Sequence, residues 1–211
     1  LGDPCCILGL VVAAIVVGLR GREAGRARRP DGRPLGVASA RDGRASSDSR
    51  HLAFQSGEDH PSIGDVNGRL DVFVKDLRTG ALVLVSTDSD GNPGDGDSTE
   101  PSISADGRRV AFRSAARNLV AGDTNDATDI FVKDLATGAT TRVSTNEAGE
   151  QADAPSGRPS ISADGRYVTF LSSARNLVAE DAARGHGAFL KDLATGRITR
   201  VDPIGRVRAR P

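Results

Sequence analysis

No methionine and no tryptophan occur in the 211 residues. A chain read from its own start opens on Met, so the expectation is a chain that begins after processing or inside a longer reading frame. Tyrosine occurs once and phenylalanine six times. A core with so few rings has to be built from Val, Ile, Leu and Ala around those six Phe. Lysine occurs only at 75, 133 and 191, so the other 25 of the 28 basic residues are Arg. The cysteines are Cys5 and Cys6 alone. Adjacent cysteines rarely bond each other, and two are too few for a disulfide framework or a zinc site. Net charge is also absent: 28 basic residues balance 28 acids. That balance gives no reason to expect a nucleic-acid partner. With 37% hydrophobic and 27% charged residues, the chain is not a disordered tail either.

Long hydrophobic runs are missing with one exception. Residues 5–19 form a 15-residue uncharged stretch from Cys5 to Leu19. It is short for a membrane span, which needs about 20 residues. It fits the apolar part of an export signal. Arg20, Arg22, Arg26, Arg28 and Arg29 follow it, and basic residues there also suit a membrane anchor. An upstream extension of the frame is the third reading. Residues 1–41 are therefore read as a signal-like or anchor-like segment followed by an Arg-rich linker.

What the chain does have is a repeat of 58 residues. Ser-Ala-Asp-Gly-Arg stands at 104–108 and at 162–166. Val-Lys-Asp-Leu stands at 74–77 and 132–135, with Leu-Lys-Asp-Leu at 190–193. Val-Ser-Thr at 85–87 returns at 143–145. The repeats are 42–99, 100–157 and a slightly clipped 158–211. All six Phe fall at two repeat positions: 54, 112, 170 and 73, 131, 189. The three Lys fall at one. A period of this kind is the mark of stacked supersecondary units.

Residues 102–121 and 160–179 differ only at 109, 111, 113 and 115 and their counterparts. Variation with period 2 means a strand with one constrained and one free face. Val110, Phe112, Val168 and Phe170 are expected inside. Pro101-Ser102-Ile103-Ser104 precedes that strand, and Asp106-Gly107 turns the chain. Ile130-Phe131-Val132 reads as a strand buried on both faces. Asp134 to Gly138 turns again, and Thr140 to Thr145 supplies a fourth, more polar strand. Leu119 and Val120, in the long link before the third strand, are expected to fold against the sheet.

The fold class expected is all-β: three four-stranded antiparallel blades of 58 residues, a partial β-propeller. Closed propellers typically have four to eight blades, so three make an incomplete ring. The motif Pro101-Ser102-Ile103-Ser104-Ala105-Asp106-Gly107-Arg108, with Asp129-Ile130-Phe131-Val132-Lys133-Asp134-Leu135, resembles the TolB-like or WD40-like propeller repeat. That family usually has Pro where Ala105 and Ala163 stand. The resemblance implies a bladed fold, an extracytoplasmic setting and a role in binding a protein or ligand. It does not imply a reaction.

The sharpest candidate site is Asp123, Asn125 and Asp129, matched one repeat earlier by Asp65, Asn67 and Asp71. Oxygen-bearing side chains so spaced in a loop suit calcium, which takes six to eight oxygens. The competing reading is a loop capped by its own Asp and Asn side chains. Copy three has Asp181, Ala183 and Gly187 there and is expected not to bind. The acidic stretch 88–97 is a weaker calcium candidate. Lys133 is expected to leave the sheet for solvent, and Asp134 to start the turn. Arg50, Arg108 and Arg166 are expected in salt bridges. His51, His60 and His186 fall at unrelated repeat positions and are expected at the surface. No Gly-x-Ser-x-Gly or phosphate loop is present.

The functional expectation is a non-catalytic extracytoplasmic propeller segment, calcium-braced, that binds a protein or peptide partner. The alternative is the gating propeller of a larger exported hydrolase or peptidase, since some peptidase families resembling this repeat use the propeller as a gate.

Overall fold

The computed structural model describes residues 41–179 and 185–201. The 5–19 stretch, Asp181 and Ala183 lie outside these residues. No helix among the described residues is long and apolar enough to cross a membrane.

Among the described residues twelve strands follow one another, with a 3-10 turn at Pro61–Ile63 between the second and third. Blade 1 holds β1 (Arg41–Ala45), β2 (His51–Ser56), β3 (Asp71–Asp76) and β4 (Leu82–Leu84). Blade 2 holds β5 (Ser98–Ile103), β6 (Arg109–Ser114), β7 (Asp129–Asp134) and β8 (Thr140–Arg142). Blade 3 holds β9 (Ser156–Ile161), β10 (Tyr167–Ser172), β11 (Gly187–Asp192) and β12 (Ile198–Val201). In each sheet the spatial order is the sequence order, and every neighbouring pair is antiparallel. Each first strand contains an irregular register, and Asp42, Glu100 and Arg158 take left-handed backbone there. A bulge of this kind bends and twists the strand. The first strands of successive blades lie beside one another, so the sheets converge along that edge.

The six Phe form three equal pairs. Phe54 faces Phe73, Phe112 faces Phe131 and Phe170 faces Phe189 across the second and third strands. Their ring centroids are 5.7, 5.9 and 5.7 Å apart, within the range for aromatic contacts. The chain thus spends its whole Phe complement on one repeated contact.

Blade 2 shows why the alternation in β6 is only half of the packing. Val110, Phe112 and Phe131 pack on Ala53, Val72, Val74 and Val85 of blade 1. Ala111, Ile130 and Val132, from the other face, pack on Val168, Phe170 and Phe189 of blade 3. The face expected to be free is buried at its centre in blade 2, where a second sheet covers Ala111, while Arg109 and Arg113 are half-buried and Ala115 is exposed. In blade 3, Thr169 at the same position is exposed. The small Ala111 fits close sheet stacking. Leu119 and Leu177 are buried as expected, with Val120 and Val178 packed beside them.

Candidate functional site

The repeated polar residues resolve into four devices, three of them structural. The first is the hairpin turn. Ser104 Oγ donates to Asp106 Oδ1 at 2.5 Å, and that carboxyl accepts the Arg108 amide at 3.0 Å. Gly107 takes φ 71°, which suits a residue without Cβ. The second is the Arg–Asp pair within each blade. Arg50–Asp76, Arg108–Asp134 and Arg166–Asp192 lie at 2.9, 3.2 and 2.8 Å. Asp134 also accepts the amides of Ala136 and Thr137, which starts the turn. The Arg50 guanidinium holds the Asp76 carboxyl well below its usual range.

The third device joins blades, and here the expectation for Lys133 is corrected. Its amine is buried, not solvated. It donates to Thr87 Oγ1 at 2.8 Å, to the Asp88 carbonyl at 2.6 Å and to Thr140 Oγ1 at 3.1 Å. Lys191 repeats this toward blade 2, reaching the Thr145 carbonyl at 2.8 Å and the Asn146 carbonyl at 3.0 Å. Burial pushes both amines down from the ordinary lysine value. A long flexible stem lets Lys cross from its own strand to the previous sheet, where carbonyls and hydroxyls replace water. Sequence reasoning missed this because the acceptors lie about one repeat earlier. The recurrence of Val-Ser-Thr in register with Lys was the available signal.

Asn118 adds a clasp in the same direction. It accepts the Asp95 amide at 3.0 Å and donates to the Pro93 carbonyl at 2.9 Å. Asn176 does the same to Asp153 and Gln151. The Asn-Leu step of copies two and three is thus an interblade contact. Carboxyls of the acidic stretch 88–97 are spent on backbone amides, within the loop and beyond it. Asp88 accepts the Asp90 and Asn92 amides, Asp95 the Arg117 amide and Asp97 the Leu70 amide.

The fourth device is the Asp–Asn loop. In blade 2 the Asn125 amide donates to Asp129 Oδ2 and to the Ala152 carbonyl, both at 2.9 Å. Ser144 donates to Asp129 Oδ1 at 2.5 Å. Arg142 stands 3.8 Å from Asp123, both side chains being buried. Each carboxyl thus has a partner within the protein. Blade 1 keeps only part of this. Ser86 donates to Asp71 Oδ1 at 2.5 Å, and the Asn67 amide donates to the Gly94 carbonyl at 3.0 Å. The His60 amide donates to Asp65 Oδ2 at 3.2 Å. Asp65 Oδ1 and Asp71 Oδ2 are buried with no hydrogen-bond partner. Burial pushes all four carboxyls up, Asp71 to about 6. The Asp65 charge adds to the shift at Asp71. Among the described residues, no three His, Cys, Asp or Glu side chains converge on one point.

The histidines offer little chemistry. His51 is half-buried against Gly107 of the next blade, where a Cβ would stand 2.1 Å from its ring, so it is an interblade filler rather than a surface residue. His60 sets its ring edge on Phe73, with centroids 5.0 Å apart. Ser173 Oγ lies 3.3 Å from His186 Nδ1, but both are exposed. Among the described residues no carboxylate contacts that imidazole. A cleft of about 730 Å³ between blades 2 and 3 runs past Arg142, Gln151 and Lys191. The Lys191 amine is already satisfied there, and Arg142 is paired.

These sheets define the class as a β-propeller segment. No protein-family model matches the chain. Its fold is that of the TolB-like propellers. A putative TolB from Agrobacterium tumefaciens superposes with a TM-score of 0.51 over 84% of this chain and 53% of that one, at 17% identity. Dipeptidyl-peptidase 5 of Porphyromonas gingivalis is 30% identical over 102 residues, which is 48% of this chain and 14% of that protein. The chain therefore spans about half the length of the TolB and a small part of the peptidase.

Proposed function

We propose that this chain is a non-catalytic, extracytoplasmic propeller segment that binds a protein or peptide partner, with calcium bracing its Asp–Asn loops. The observation that carries the reading is where the repeated polar groups go. Lys133, Lys191, Asn118 and Asn176 are consumed between blades, and the Arg–Asp pairs within them. What remains for function is the outer surface of a rigid scaffold, the usual use of stacked repeats. The TolB-like fold supports the same reading, and with it the extracytoplasmic setting. Residues 5–19 would serve as export signal or anchor.

The test is twofold. Fused to a reporter that folds only after export, residues 1–41 should give reporter activity; an inactive, cytoplasmic reporter overturns the extracytoplasmic setting. The purified chain should leave dipeptidyl and aminoacyl chromogenic substrates uncleaved. Hydrolysis blocked by a serine-reactive fluorophosphonate would overturn the non-catalytic reading.

A second reading rests on the 102-residue match to the peptidase. In it the segment is the gating propeller of a larger exported hydrolase. The coding sequence on either side separates the two. A Ser/His/Asp domain in the same frame favours the hydrolase, and further 58-residue copies alone favour the binding scaffold.

A further inference from the structure

Blades 1 and 2 use the same loop and differ at one decisive position. Arg142 of β8 faces Phe131 of β7, and Leu84 of β4 faces Phe73 of β3 in the same register. In blade 2 the Arg142 guanidinium is buried beside Asp123 and acts on Asp129 as well. It also donates to Gln151. A buried carboxylate pair needs a positive charge nearby, because desolvation penalises each uncompensated charge heavily. Leu84 supplies none. It packs instead with Leu52, Phe54 and Phe73. Yet blade 1 keeps both carboxyls, with Asp65 1% and Asp71 0% exposed. One oxygen on each has no partner of full hydrogen-bond geometry, and the groups that act on the pair as donors, Ser86, Asn67 and the His60 amide, are neutral. His60 is the histidine beside Asp65, and its ring is turned edge-on to Phe73.

We infer that the blade 1 loop, and not the blade 2 loop, binds one calcium-class divalent cation at Asp65 Oδ1 and Asp71 Oδ2, in the charge position that Arg142 fills in blade 2. The inference rests on the calcium part of the function proposed above and narrows it from two loops to one. A hard divalent ion accepts carboxylate oxygens and completes its shell with carbonyls and water. Asn67 turns its amide N–H to the Gly94 carbonyl and acts on Asp71 as a donor. Its carbonyl oxygen already accepts the Arg69 amide at 2.8 Å and has a second lone pair. With two carboxylates, the affinity belongs in the weak range of extracellular modules, about 10⁻⁴–10⁻³ M. In blade 2 an incoming ion would meet the positive charge of the Arg142 guanidinium beside Asp123.

Calcium titration of the chelator-treated full chain by calorimetry tests this, with folding followed by circular dichroism. The wild type should bind one equivalent. Asp65→Asn should lose binding, and Leu84→Arg should lose it by restoring the blade 2 arrangement. Leu84→Met, of similar volume and no charge, should keep it and controls for repacking. Arg142→Leu should gain a second equivalent, a result no folding defect can mimic. Two equivalents in the wild type, or binding untouched by Leu84→Arg in a folded protein, would sink the single-loop inference while leaving a calcium brace standing. No calcium heat at any concentration through the millimolar range would end both.

Discussion

Ser49 sits with φ 55° where copies two and three have Gly107 and Gly165 at φ 71° and 69°. A left-handed residue with a Cβ costs roughly 1–2 kcal/mol. The rest of the turn is intact, since Ser46 donates to Asp48 at 2.5 Å and Asp48 accepts the Arg50 amide at 2.9 Å. Blade 1 therefore keeps the turn geometry and carries its strain. Ser49→Gly should stabilise the chain by about 0.5–1 kcal/mol, the strain relief being offset by the greater entropy of an unfolded glycine. Chemical denaturation reads this directly; an unchanged or lower midpoint at constant slope would contradict it. The candidate site is likewise decided by single atoms. Spacing alone made Asp65, Asn67 and Asp71 equivalent to Asp123, Asn125 and Asp129. The two loops part company at residues 84 and 142, outside the motif, because a strand's side chain reaches the loop only once the sheet has formed.

At the scale of the element, the hairpins of blades 2 and 3 are each stapled to the blade before them. Lys133 is the strongest staple, because a buried ammonium is held by several oxygens that have no water to replace it. Lys133→Ala should cost about 1–3 kcal/mol through the hydroxyls and carbonyls left unpaired. Lys75 supplies the control. It stands at the same position of β3, is only half-buried, and has no acceptor within reach among the described residues. Lys75→Ala should change stability by no more than about 0.5 kcal/mol. Thermal melts of the two variants, side by side, check the pair of values. Equal losses would mean that the staple adds nothing. The strands themselves were legible: the Asp-Gly turns, the Phe positions and the apolar Ile-Phe-Val run each reported a local property. The staple was not, because its two halves are about one repeat apart and nothing in a single strand marks Lys as inward.

For the whole molecule, the two ends of the arc differ. Blade 1 covers Leu52, Phe54, Phe73 and Leu84 with its own Ile63, Leu77 and Leu82. Blade 3 turns outward the face that blade 2 buries. Ala111, Ile130 and Val132 are buried, whereas Thr169 is exposed and Ala188 and Leu190 are half-buried. A repeat that leaves an apolar face without a cap invites association. Residues 42–211 expressed alone should self-associate or melt over a broad range. Analytical ultracentrifugation with calorimetry checks this; a monomer with one sharp, two-state transition would be the contrary result.

By itself the sequence determined the unit and its count. A strict 58-residue period, with all Phe and all Lys in register, leaves few alternatives to stacked four-stranded sheets, because period-2 variation and Asp-Gly turns are properties of neighbouring residues. Only the tertiary structure decided which face of a strand meets which blade, that Lys133 turns inward, and that one Asp pair has a guanidinium while its copy does not. Those are contacts between residues distant in sequence. Their energies depend on what burial removes from water, and identical motifs acquire different chemistry when different neighbours close over them.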